Sequence, residues 1–585
     1  MSHAVRRFGA TPSPSGTTFR LWAPAASSVE LVINDTRFDM TQLPKGWFAT
    51  TVASARAGTR YHFRIDGELD IADPASLYQP EDVAGPSEVT DHDAFRWRTK
   101  DWRGRPWHEA IFLECHVGAF SPAGTFRGMA ERLDHIADTG LTAIELMPVA
   151  DFPGRRNWGY DGVLWYAPDH SYGTPDDLKH LIDEAHLRGI MVFLDVVYNH
   201  FGPEENHLPR YAPQFFCDTA TPWGAAIDYS VPEVRAFAID NAIVWLRDYR
   251  FDGLRLDAVH AIAEPGGLTL LEDLSSAVGA LAQASGRHLH LVLENDDNRS
   301  SLLDPATAVP SGKYRAQWND DYHHAWHVLL TGETQGYYAD YASAPEQMIA
   351  RMLRAGFAYQ GEPSRHRGGR PRGESTQSLP PTAFVNFLQN HDQIGNRALG
   401  DRLEWSAGAD AIEAALAVTL LAPMPPLLFM GEEWGARTPF PFFCDFHGEL
   451  ADAIRHGRRK EFVDAYAAFG DDVPDPLSPA TFEAAKLDWS STDTRRYQLV
   501  KRLLAIRAAE IIPRLSAASF AQAECDPDGL LTACWNLADR AILRLSANLS
   551  ESARRIAPPR GRIIWGDATE PARPWSVLWT LGEDR

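Results

Sequence analysis

The segment Phe251-Asp-Gly-Leu-Arg-Leu-Asp257 alternates with period two, Leu254 and Leu256 facing one way, Arg255 and Asp257 the other. Such alternation predicts a strand, and it sets a guanidinium beside a carboxylate on one face. Unpaired buried charge is costly. The pair is therefore either a structural ion pair or a carboxylate kept ionised by Arg255 for chemistry. Three further segments end predicted strands in polar residues: Asp195-Val-Val-Tyr-Asn-His200, Glu294-Asn-Asp-Asp297 and Asn390-His-Asp-Gln393. A lone Asp or Glu at a strand end is ordinarily a cap or a surface charge. Several on successive strands of one barrel reverse that judgement, and Asp257, Glu294 and Asp392 then converge with Arg255, His200 and His391 on one mouth. Two carboxyl groups flanking a sugar linkage, one protonated and one ionised, are what glycoside cleavage requires. Arg255 lowers the pKa expected of Asp257, while partial burial and mutual repulsion raise that of Glu294.

The elements that must hold these ends in register follow a strand–loop–helix rhythm from about residue 108. Predicted strands are Ile111-Phe-Leu-Glu-Cys-His-Val117, Ala143-Ile-Glu-Leu-Met147, Met191-Val-Phe-Leu-Asp-Val-Val197, residues 253–257, His290-Leu-Val-Leu-Glu294, Ala316-Gln-Trp318, Ala383-Phe-Val-Asn-Phe-Leu388 and Pro426-Leu-Leu-Phe-Met430. Helix signals lie between them. Thr174 caps a helix opened by Pro175, with Leu178, Leu181, Ile182 and Ala185 as its buried stripe and Gly189 at its end. Ser230 and Glu233 predict a capping box for the helix that leads to residue 250. No Gly-rich phosphate fingerprint follows the first strand, so the fold class is α/β, a TIM (β/α)8 barrel rather than a doubly wound sheet. Residues 1–95 alternate as short strands and predict an immunoglobulin-like, carbohydrate-binding-type β-sandwich. The barrel is placed at 108–512 and a C-terminal antiparallel β-domain at 515–585. Residues 361–381, rich in Arg, Gly, Ser and Pro, predict a long mobile loop before the seventh strand, either a lid over the mouth or a solvated linker.

Composition narrows the substrate. The 585 residues are 44% hydrophobic and 23% charged, as in globular proteins with large cores. A net charge of −22 argues against nucleic acid or an anionic membrane as partner and suits a neutral ligand. Trp 18, Tyr 17 and Phe 28 are generous, and a surplus of Trp is what sugar-stacking sites use. Near the mouth, Trp158, Trp223, Trp318 and Tyr322 are each core residues or sugar contacts, with Trp318 and Tyr322 the ones expected to touch sugar. The five Cys are scattered without metal-ligand spacing, and no apolar leader or span of about 20 apolar residues occurs. The expectation is a cytoplasmic protein without cofactor.

Asp195-Val-Val-Tyr-Asn-His200, Gly253-Leu-Arg-Leu-Asp-Ala-Val-His260, Leu293-Glu-Asn-Asp296 and Asn390-His-Asp392 resemble, in order, the four signature regions of the α-amylase family, glycoside hydrolase family 13. The resemblance covers most of the chain, since both β-domains are typical of multidomain members. It implies that Asp257 is the nucleophile, Glu294 the general acid/base and Asp392 the carboxylate that grips the sugar. It also implies that Tyr160, His200, Arg255 and His391 line the subsite of the cleaved sugar, with Asp195 and Asn199 as supports. Many members carry Lys-His three and four residues after the nucleophile, next to a calcium. Here His260 and Ala261 stand there, so no metal is expected. Closer features, among them Phe387-Leu-Gln-Asn-His-Asp-Gln-Ile-Gly-Asn396 and Phe429-Met-Gly-Glu-Glu-Trp434, resemble members acting on α-1,4-glucans that end in trehalose. That implies a trehalose-forming synthase as functional partner. It also leads to the expectation that segments 317–324 and 432–434 shape the leaving-group side. A glucan branching enzyme is the nearest alternative, and an inactive glucan-binding protein is the alternative of another class.

Overall fold

The computed structural model describes residues 5–221, 224–262, 266–304, 312–463, 467 and 470–583. Eight parallel strands close a barrel: Phe112–Cys115, Ala143–Leu146, Met191–Val196, Gly253–Leu256, His290–Leu293, Ala316–Trp318, Phe384–Phe387 and Pro426–Phe429. Every residue of these strands is buried. This explains why most read as apolar runs, while the fourth shows its alternation through Arg255. Inside the barrel, Phe112, Phe193, Val292, Trp318, Val385 and Phe387 pack into one cluster. Trp107 joins it and donates its indole N–H to the Thr382 carbonyl at 2.8 Å.

Gly253 is required by this packing. A Cβ there would lie 2.2 Å from the ring of Phe193 on the neighbouring strand.

The helix Pro175–Leu187 begins as its sequence indicates, with the Thr174 hydroxyl and the Asp177 carboxylate completing a capping box. The helix Pro232–Arg247 does not. Its N-cap is Val231 with no side-chain cap, because the Ser230 hydroxyl donates to Asp228 instead. Pro232 at the first helical position supplies the preset φ that starts the helix without a box.

Two antiparallel sheets form the N-terminal module, one ordered Gly9–Ser13, Gly16–Trp22, Trp47–Val52, Thr41–Leu43 and the other built around Val29–Ile33 and Arg60–Ile65. The C-terminal sheet has five strands, in the order Ser519–Cys525, Leu530–Asn536, Ala541–Asn548, Val577–Glu583, Arg562–Trp565. Sequence reading finds three of these and misses two: Ser519–Cys525, and Val577–Glu583, whose first five residues are all buried and so do not alternate. Trp579 in that strand donates to the Ala417 carbonyl at 3.1 Å, docking the sheet on the barrel helix Ala409–Leu421. Among the described residues no helix is long and apolar enough to cross a membrane.

Candidate active site

Arg255 organises the mouth. Its Nη1 lies 2.6 Å from Asp195 Oδ2 and 2.9 Å from Asp257 Oδ1, and its Nη2 lies 3.4 Å from Glu294 Oε2. The guanidinium rests on the Trp318 indole, 4.2 Å from the ring centroid, an arrangement that stabilises a desolvated cation. Register explains the meeting, since Asp195 and Arg255 are partners across the third and fourth strands.

The Asp257 carboxylate is held at both oxygens, by Arg255 on Oδ1 and by the Asn199 amide on Oδ2 at 2.7 Å. Ala258 follows in a left-handed conformation, φ 40°, which is strained for a residue with a side chain. That turn brings its N–H to Glu294 Oε2 at 2.6 Å. Both contacts to Glu294 thus fall on Oε2, and Oε1 is the oxygen left to carry a proton. Burial raises the Glu294 pKa, with Arg255 opposing and the Asp257 charge adding to the rise. Asp392 stands exposed in the first turn of His391–Gly395, whose N-cap Asn390 accepts the Asp392 N–H at 2.9 Å. The Asn396 amide donates to Asp392 Oδ1 at 2.7 Å.

Behind the acids runs a relay of polar contacts. His391 Nδ1 and its backbone N–H both meet the Glu114 carboxylate. His391 Nε2 lies 2.9 Å from the Tyr160 hydroxyl, which donates to Asp195 at 2.6 Å. Burial alone lowers the His391 pKa, but the Glu114 carboxylate outweighs it and the net shift is upward. A doubly protonated ring fits both contacts, donating at each nitrogen. The His200 ring nitrogens lie against the Asn199 side chain and the Tyr160 carbonyl, so His200 braces both the Asp257 clamp and the Tyr160 loop.

Two expected sugar contacts are corrected. Trp318 is 1% exposed and lies beneath Arg255 as a floor. Tyr322 is wholly buried and bonds Thr419 at 3.0 Å, on the barrel-helix side. Trp318 ends a strand of only three residues and Tyr322 sits in the helix just after it, and the facing of residues there cannot be told from pattern alone. Trp158 is 4% exposed and stacked on Phe440, and Trp223 lies outside the described residues. The turn Glu432–Trp434 is buried too, with Glu432 accepting from the Phe429 N–H at 3.0 Å, and it does not line the cleft.

The exposed aromatic at the mouth is Tyr337, 38% accessible and 4.6 Å from the His324 ring. With Asp296, Asp320, His324, Arg367 and Asp392 it lines a cavity of about 150 Å³ beside Glu294. The sequence signal for it, Gly336-Tyr-Tyr338, is a turn residue before a pair of rings and has no spacing that marks a site. Glu114 was missed as well, although a Glu inside an otherwise apolar strand was a visible anomaly.

The expected mobile segment 361–381 is instead built into the wall. Glu362–Pro363 and Pro371–Arg372 pair as a short hairpin. Arg367 binds Asp296 and Asp297, and Arg372 binds Asp296 and Asp321 and donates to the Tyr341 hydroxyl at 2.8 Å. Basic residues in this segment therefore neutralise the acids that follow Glu294.

Residues 90–214 match the family model of the alpha amylase catalytic domain, and residues 7–78 match carbohydrate-binding module 48, the isoamylase N-terminal domain. Residues 518–579 match a domain of unknown function, DUF3459. With the closed barrel and its acid-lined mouth, these matches define a glycoside hydrolase of the α-amylase class.

A malto-oligosyltrehalose trehalohydrolase of Deinococcus radiodurans is 43% identical over 86% of this chain and 83% of its own length. One from Rhizobium sp. strain M-11 is 40% identical over 91% and 93%. The chain belongs to this trehalohydrolase family. A crystal structure of an alpha amylase candidate from Salmonella typhimurium superposes with a TM-score of 0.93 at 41% identity, covering 99% of this chain and all of that one.

Proposed function

We propose that the protein hydrolyses the α-1,4 bond next to the trehalosyl end of maltooligosyltrehalose, releasing trehalose and a shortened maltooligosaccharide. The observation that carries this reading is the Arg255-centred set, which holds Asp257 by both oxygens while leaving Glu294 raised in pKa with one free oxygen. Asp257 attacks the anomeric carbon of the glucan and forms a glycosyl ester. Glu294 gives its proton to the departing trehalose oxygen, then takes one from the water that cleaves the ester. Asp392 binds the hydroxyls of the ring being cleaved, and Tyr160, His200 and His391 seat that ring. The cavity beside Glu294 receives the trehalosyl group, with Tyr337 stacking on one ring and polar groups at its rim. This leaving-group pocket suits a ring turned by an anomeric-to-anomeric linkage, and it favours the trehalosyl end through kcat/KM.

The trehalohydrolase name borne by relatives that match along most of the chain supports this reading over branching, since a Streptomyces avermitilis branching enzyme matches only 42% of the chain. The same name supports a synthase that makes trehalosyl ends as the functional partner. The scattered cysteines support a cytoplasmic setting. Proton NMR of the early reaction on a trehalose-ended oligomer tests the assignment. It should show free trehalose and a new α-anomeric reducing end, whereas a β-anomer appearing first rules out Asp257 as nucleophile.

A further inference from the structure

The loop that carries Tyr160 springs from a two-stranded hairpin, Ala150–Asp151 with Leu164–Pro168. At its base lie three carboxylates. Asp151 is fully buried, and its Oδ2 has no hydrogen-bond partner. Its Oδ1 faces the His170 backbone N–H at 3.3 Å and Nδ1 at 3.5 Å. Asp169 is equally buried but satisfied, by Ser171 and by the Phe152 N–H. Asp82 arrives from the segment that joins the N-terminal sheets to the barrel, in a left-handed backbone conformation with φ 80°. Its Oδ2 accepts the Gly154 N–H at 3.0 Å.

Asp82, Asp151 and His170 each present a ligand atom within 4.8 Å of the others. Among the described residues no Arg or Lys pairs with Asp82, Asp151 or Asp169, and His170 is their one potential positive neighbour. Two buried acids beside a third, with one oxygen unpartnered, need either a proton or a cation. Within a cage of carboxylates, a cation satisfies all three groups, whereas a proton satisfies one.

We infer that Asp82, Asp151 and His170 form a structural site for a divalent cation, which ties the N-terminal segment to the hairpin beneath the Tyr160 loop. The ligands are carboxylate oxygens with one imidazole nitrogen, the rest of the shell being carbonyls and water. Calcium, magnesium and manganese suit the oxygens, and manganese or zinc suits the added nitrogen. Its ligands are other residues than His260 and Ala261, which replace the Lys-His that stands next to a calcium in many family members, and the site stands independently of the catalytic assignment.

The test uses the full chain and two isosteric variants, Asp151→Asn and Asp82→Asn. Each is dialysed against cation-free buffer, assayed by elemental analysis, and melted with EDTA or with calcium, magnesium, manganese or zinc. The native chain should keep or rebind one equivalent of one of these ions. EDTA should lower its Tm by several degrees, and the bound ion should restore it. Asp151→Asn should lose the ion and melt at the same temperature with and without EDTA. Asp82→Asn, whose side chain is less buried, should bind more weakly and gives the same answer if Asp151→Asn does not fold. A native chain that binds no ion and melts identically under all conditions overturns the site. So does an ion retained undiminished by both variants.

Discussion

At the residue scale, the account rests on two carboxyls in different states. Asp257→Asn should cut kcat by about 10⁴–10⁶-fold, as loss of a nucleophile does, with the melting temperature little changed because the isosteric amide keeps its one oxygen toward Arg255. Single-turnover kinetics with a thermal melt on the same sample checks both the rate and the stability. Glu294→Gln should cost about 10²–10⁴-fold on natural glucans. It should cost far less on an aryl glycoside, whose leaving group departs without a proton. Since the Glu294 pKa is raised and the acid works protonated, kcat/KM should fall as pH climbs through that raised pKa. The Gln variant should lose this alkaline limb, so an unchanged limb would assign it to another group. Arg255, Asp257, Glu294 and Asp392 were legible because charges at the ends of apolar strands have few structural uses. Trp318 and Tyr322 were not. Aromatic type is shared by sugar platforms and cores, and only the direction of the side chain separates them.

At the scale of elements, the segment 361–381 shows how composition misleads. Arg, Gly, Ser and Pro predicted mobility, yet Arg367 and Arg372 find partners in Asp296, Asp297 and Asp321 that lie far off in sequence. The Arg372–Asp321 pair is buried, whereas the Arg367 pairs are partly open to water and are each worth up to about 1 kcal/mol. Arg367→Ala should therefore lower kcat/KM by roughly 3- to 10-fold through a looser cleft wall, without unfolding the protein. Equal kcat/KM in wild type and variant would show that the wall has no part in binding. Tyr337→Ala should raise KM by a factor of about 5, the worth of one lost ring contact, and leave kcat nearly unchanged. The barrel strands themselves were readable to within two or three residues at each end. The helix at Pro232 was read correctly in place but not in its cap, because Asp228, two residues earlier, takes the Ser230 N–H and hydroxyl in an Asx-turn that competes with the box.

At the scale of the whole molecule, three layers of structure converge on one mouth. The barrel interior supplies Glu114, Asp195 and Arg255, the loops after its strands supply the acids, and the flanking β-modules pack against the outside. Trp579→Ala should cost about 3–5 kcal/mol of stability, read as a lower Tm, with kcat of the folded fraction unchanged. The eightfold rhythm was evident in sequence, and so were the two β-modules. Two C-terminal strands went unread, and of these Val577–Glu583 was hidden because its first five residues are buried without alternation. Specificity is the claim that the fold leaves to one comparison: kcat/KM on maltohexaose against kcat/KM on a trehalose-ended oligomer of equal length, at equal concentration. The account predicts a clear preference for the trehalose-ended chain, with trehalose as the released product. Equal values would contradict it and make the protein an ordinary glucan hydrolase, and new α-1,6 branches on amylose would make it a branching enzyme.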